Sequence, residues 1–195
     1  SKNSRVLFWL LMIIVFIRSA LRSYGVGNDT ETYLHIYSAV SSIEIFADVF
    51  RSGLIYTIEV GYLVLNWICA NLINHYQSIL IVSSIIAYIG YYKFLKKYTI
   101  SLLLAFATFF LLRFSDEVMN IIRQSIALVF ILKSYDYIKL KKKKKFIISV
   151  VIAMLFHKTA FVFFPAWWIC RFNFNKKMII RFLCSSIVLM LLLKI

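Results

Sequence analysis

The chain has 195 residues, 62% of them hydrophobic and only 16% charged, with a mean hydropathy of +0.84, more apolar surface than the interior of an ordinary soluble domain can absorb. One proline, five glycines and apolar runs without alternation exclude a membrane barrel and leave an all-α chain. The net charge of +15 looks like a nucleic-acid signature, but its densest block, Lys139 and Lys141 to Lys145, adjoins apolar runs in the manner of positive-inside topology, so no nucleic-acid partner is expected.

Apolar runs predict helices at about 6–21, 54–73, 78–92, 98–112, 118–138, 146–170 and 178–194, each near the roughly 20 residues that cross a hydrocarbon core. Arg18 and Arg22 follow the first run where a cleavable leader would carry small residues, so no signal peptide is read there. The second run decides the topology. If 54–73 crosses, Lys93, Lys96, Lys97 and the Lys139–Lys145 block lie outside, against the positive-inside rule. If it does not, they join Lys2 and Arg5 in the cytoplasm, and seven of the eight acidic residues lie outside. The expectation is therefore a polytopic transmembrane helical bundle of about six spanning helices, with 54–73 as a re-entrant or interfacial helix. The basic loop with Arg171, Lys176 and Lys177 dissents. Residues 1–195 read as a single membrane domain and, since the chain opens at Ser1 and closes inside the run Ile187 to Leu193, as a piece of a longer protein. Cys69, Cys170 and Cys184 lack metal-ligand spacing and read as small core residues.

Polar clusters interrupt these runs, and charge at bilayer depth costs about 2.5 to 3.5 kcal/mol on insertion scales, so clusters on one side suggest a polar site. Arg22 ends the first run and is followed by Gly25, Gly27, Asp29 and Thr30: either a helix exit, turn and N-cap, or a guanidinium fork for phosphate beside a carboxylate for a sugar hydroxyl. A metal at Asp29 and Glu31 lacks a third nearby ligand. Glu59, between Ile58 and Val60 and ahead of Gly61, Tyr62 and Asn66, is expected to have a raised pKa and to accept a proton; the alternative is an interfacial charge in water. Asn120, Arg123, Gln124 and Ala127 share one helical stripe, either facing a cavity or acting as interhelical packing. His157, Lys158 and Thr159, with Pro165 beyond, suggest a wetted or broken helix. His35 and His75 read as surface histidines.

The order Arg22, Gly27, Asp29, Thr30, Tyr33, then Glu59, Gly61, Tyr62, then Asn120, Arg123, Gln124, then Phe156, His157, Lys158, Thr159, Ala160 and Pro165 resembles the EpsG-type, Wzy-related family of bacterial polysaccharide polymerases, over about residues 18–165. Asn28 and Val60 depart from the family pattern, where threonine and proline are usual. The resemblance implies a multi-pass bacterial inner-membrane enzyme that joins undecaprenyl-diphosphate-linked repeat units at the outer leaflet, for capsule, exopolysaccharide or O-antigen. No cofactor and no metal are implied. The bilayer and the lipid-linked glycan are the expected partners, with chain-length regulator and flippase proteins as candidate neighbours. In this reading Asp29 or Glu59 takes the acceptor proton, Arg22 and Arg123 bind the departing diphosphate, and His157 with Lys158 orients or neutralises the donor. Thr30, Tyr33, Tyr62, Asn120 and Gln124 complete the substrate contacts. Rival readings are a flippase or transporter of lipid-linked glycans, a membrane O-acyltransferase with His157 as base, and a structural membrane subunit.

Overall fold

Residues 2–172 and 175–192 are described by the computed structural model, and every regular element among them is helical, as the composition requires. They fall into two compact units, Ser1–Phe164 and Pro165–Ile195. The first holds α1 (Lys2–Ala20), α2 (Thr30–Ser41), α3 (Phe46–Val49), α4 (Val60–Ile73), α5 (Gln77–Tyr98), α6 (Leu102–Leu111), α7 (Phe114–Asn120), α8 (Ile122–Lys139), α9 (Lys143–Phe156) and a closing 3-10 turn, Lys158–Phe163. The second holds α10 (Ala166–Ile169) and α11 (Lys176–Leu192).

Side-chain pairs give the directions of the helices in the first unit. Phe8 packs on Tyr92, Phe16 on Tyr88, and Ser84 Oγ donates to Ser19 Oγ at 3.2 Å, so α5 runs antiparallel to α1. Phe8 also meets Phe106, while Arg18 pairs with Asp116 at 2.8 Å, so α6 and then α7 run along α1 in the same direction. Gly90 abuts Val129 and, seven residues further along both helices, Lys97 pairs with Asp136, which makes α5 and α8 parallel. A turn with Lys141 at φ 54° then returns the chain, and α9 descends antiparallel to α8.

This alternation collects charge at opposite ends. Arg5, Lys93, Lys96, Lys97 and Lys139 lie at one end, around Tyr92 and Tyr98. Asp29, Glu59 and Asp116 lie at the other. Both ends of α4 belong to that acidic end. Glu59 at its start pairs with Arg123 in the first turn of α8, and just past its close Gln77 donates to the carbonyls of Ala20 and Arg22 at the end of α1. Fourteen residues span about 21 Å, less than the roughly 30 Å of a hydrocarbon core. The helix therefore starts and finishes at the same end of the bundle.

Among the described residues two helices, Asn3–Ala20 and Gln77–Tyr98, are long and apolar enough to cross a membrane. In α1 only 28% of that window is buried, and Val6, Leu10, Ile13, Ile14 and Ile17 point outward. A soluble core helix would hide them; here they suit an apolar surrounding. The expected set of about six spans is shown only in part. The run 98–112 yields a helix of only ten residues, 118–138 is broken at Ile121, and 146–170 is broken at His157. Cys69 is buried as expected, whereas Cys170 and Cys184 are exposed on the second unit, because the apolar segments that carry them turn them outward.

Candidate functional site

Glu59 precedes α4 but does not cap it; its carboxylate turns instead to α8 and α9. Oε2 accepts from Arg123 Nη1, Oε1 accepts from the Lys158 backbone N–H at 3.2 Å, and His157 Nδ1 lies 3.6 Å from Oε1. Local backbone makes this possible. His157 is extended, at φ −155° and ψ 109°, so α9 stops at Phe156 and the Lys158 amide is released from helical pairing. Glycine at position 61 lets the first turn of α4 touch the last turn of α9, since a Cβ there would sit 2.6 Å from the Leu155 carbonyl oxygen.

Burial pushes the Glu59 carboxyl up, but its own backbone amide, the Lys158 amide and the Arg123 guanidinium together outweigh burial and hold it below the ordinary glutamate range. The expected raised value is thereby corrected. The side chain is 11% exposed, against 26% for both Arg123 and His157, so the cluster is open on one side. A carboxylate already neutralised by a guanidinium is a poor proton acceptor and a good anchor.

Arg123 lies in the first turn of α8, where backbone N–H groups have no helical partner. Its amide and its guanidinium both face the Tyr33 hydroxyl, and its Nε is buried without a partner. Tyr62 is fully buried, edge-on to Tyr33 at 5.7 Å between ring centres. Its hydroxyl lies beside Asn66 and within the fields of both Arg22 and Arg123, without making a well-formed hydrogen bond.

Arg22 works differently from Arg123. At 4% exposure it commits each nitrogen to the protein: Nε to Thr30 Oγ1 at 2.8 Å, Nη1 to the Ser19 carbonyl at 2.6 Å, and Nη2 to the Met119 carbonyl at 3.1 Å. The Thr30 hydroxyl in turn donates to the Val26 carbonyl, and the Asn28 backbone amide donates to Asn120 Oδ1 at 3.0 Å. Gly27 has φ +93°, and a Cβ there would press on Thr30 Oγ1 and Asn120 Oδ1. Arg22 is thus a clasp joining α1, the loop and α7, with no free edge for phosphate.

Asp29 stands at the start of α2 without capping it and, among the described residues, its carboxylate has neither hydrogen bond nor ion pair. It sits in the field of the Tyr33 hydroxyl. Lys158 holds Glu59 through its backbone, and its side chain is exposed. The single stripe expected from Asn120, Arg123 and Gln124 is corrected by the break at Ile121, φ −118° and ψ 58°. Asn120 faces the Gly27 loop and Arg123 faces Glu59. Gln124 lines a separate cavity of about 370 Å³ with Glu117, Tyr91 and Phe109, and does not join the cluster.

Gln77 and the Ser19 and Met119 carbonyls are parts of the site that the sequence reading missed. The carbonyls carry no sequence signal, while Gln77 stood in the polar gap between two apolar runs. His35 and His75 lie outside the cluster, beside Tyr24 and stacked on Tyr76. Among the described residues, no group of three or more His, Cys, Asp or Glu side chains is placed to hold a metal.

A model of the EpsG family matches residues 5–195, a span that includes every residue of the cluster. No curated protein and no solved structure matches the chain. A match over nearly the entire length is decisive, and the chain belongs to the EpsG family, a membrane-associated family linked to polysaccharide polymerisation.

Proposed function

We propose that the protein lengthens bacterial polysaccharides by transferring glycan from undecaprenyl-diphosphate-linked repeat units at the outer leaflet of the inner membrane. In this reading residues 1–195 form one multi-pass membrane domain, with the acidic end outside, α4 half-embedded there, and the lysine end in the cytoplasm. Chain-length regulator and flippase proteins are its proposed neighbours. One observation carries the proposal. A partly exposed polar cluster of Arg123, His157 and Lys158, anchored by Glu59, assembles at the same end as the uncommitted carboxylate of Asp29.

The chemistry needs a base, an anion site and a bound acceptor. Asp29 takes the proton of the acceptor hydroxyl as its oxygen bonds to the donor's anomeric carbon, and the bond from that carbon to the phosphate oxygen breaks. The diphosphate leaves with the bonding pair. Arg123, through the exposed part of its guanidinium, and the exposed Lys158 ammonium stabilise it, aided by the N-terminal partial charge of α8. His157 orients the donor. Glu59 positions Arg123 and the Lys158 backbone, while the Arg22, Thr30 and Asn120 clasp holds the loop that carries Asp29. Tyr33 faces the guanidinium from within, and Tyr62 packs edge-on behind it. No metal enters the scheme.

The test supplies purified full-length protein in vesicles with a lipid-linked repeat unit and looks for a ladder of longer glycans. Asp29→Asn is expected to lower the rate by about 10²–10⁴-fold, and Arg123→Ala by about 10²–10³-fold, with expression unchanged. An unaffected ladder in Asp29→Asn moves the base elsewhere. Transbilayer movement of the lipid without any ladder replaces the polymerase reading with a flippase.

A further inference from the structure

At the lysine end, far from the cluster just described, a groove of about 520 Å³ runs between α5 and α8. On α5 it is lined by Ile85, Ile89, Lys93 and Lys97, four residues at one-turn spacing that change from apolar to cationic over about 18 Å. On α8, Val129 faces the apolar stretch and Lys133 the cationic one. The two helices touch at Gly90, where a Cβ would lie 2.4 Å from Val129 Cγ1, so the groove has a backbone floor and an open side. Ile85 and Ile89 are exposed along it.

The charge in the groove is not balanced. Its one acid, Asp136, is occupied by Lys97 at 2.7 Å and by the Tyr98 hydroxyl. Lys93 and Lys133 are exposed and have no ion pair among the described residues. Lys139 adds a further cation at the mouth, stacked over the rings of Tyr98 at 4.5 Å and Tyr135 at 5.1 Å. A soluble anion would satisfy the lysines and leave the isoleucines bare. A neutral lipid would cover the isoleucines and leave two cations unpaired.

We propose that this groove binds an anionic phospholipid of the leaflet on the lysine side, its phosphate between Lys93 and Lys133 and an acyl chain along Ile85, Ile89 and Val129. The site rests on the membrane placement given under Proposed function and is independent of the polymerase chemistry. It gives the lysine end a fixed depth in the bilayer.

The test uses purified full-length protein in mixed micelles and native mass spectrometry, with phosphatidylglycerol and phosphatidylcholine as competing probes. Retention of one phosphatidylglycerol with roughly thirtyfold preference is expected, the order that two lysines near an anionic surface supply. Lys93→Gln with Lys133→Gln should bring the preference to within about twofold, and Lys93→Arg with Lys133→Arg should restore it. Equal retention of the two lipids, or an unchanged preference in the glutamine variant, overturns the proposal. Displacement by an equal concentration of glycerol 3-phosphate also overturns it, because the site would then read the headgroup alone. Both variants should keep the wild-type glycan ladder, so loss of lipid preference with an intact ladder separates this site from the polymerase reading.

Discussion

Arg22 and Arg123 are the same residue type beside similar polar neighbours, and burial alone separates their work. Arg22 is sealed and spent on carbonyls and Thr30, while Arg123 faces a carboxylate at a partly open edge. Residue types announced the polar clusters, but the choice of partners is made by elements distant in sequence and carries no local signal. Glu59 illustrates the consequence. Glu59→Ala would leave a partly buried guanidinium without its counter-charge, at a cost of about 1–3 kcal/mol after allowing for solvent screening. The thermal midpoint of the detergent-solubilised protein measures it, and Glu59→Ala combined with Arg123→Ala should cost less than the two single changes added together. Because folding lowers the Glu59 pKa, the pair contributes fully at neutral pH and is lost as pH falls through that lowered value. Wild type should therefore lose stability on acidification below the ordinary glutamate range more steeply than Glu59→Gln, and equal slopes would refute the assignment.

At the scale of elements, the two breaks create the site, and they are the features hydropathy sees least. The run 118–138 reads as one helix because nothing around Ile121 is a glycine or proline, yet the chain kinks there and sends Asn120, Arg123 and Gln124 to three different surroundings. The break at His157 was suggested by polar residues in an apolar run, and the structure has it there. The apolar runs themselves were readable because each contains helix among the described residues, and the short reach of α4 agrees with the charge balance at its flanks. Gly61 tests how tightly the elements must meet. Gly61→Ala drives a methyl into the Leu155 carbonyl, which should destabilise the protein by about 1–3 kcal/mol and pull Glu59 from the Lys158 amide. A thermal shift with a matching loss of glycan ladder is the expected result; an unchanged midpoint would mean that α9 yields freely.

For the whole molecule, the separation of lysines from acids ties fold to orientation. With Cys69, Cys170 and Cys184 replaced by serine, Ser42→Cys and His75→Cys, which lie before and after α4, should react with an impermeant maleimide from the same side of sealed vesicles. Lys142→Cys, in the turn between α8 and α9, should react only from the opposite side. Labelling of positions 42 and 75 from different sides would make α4 a true span and reverse the lysine end. That turn has a further consequence for biogenesis. It joins α8 and α9 into a hairpin whose two far tips carry Arg123 on one arm and His157 with Lys158 on the other. In the proposed placement both tips lie on the outer side, beside Glu59 from an earlier stretch of chain. In that placement, pairing with Glu59 would oppose retreat of the hairpin.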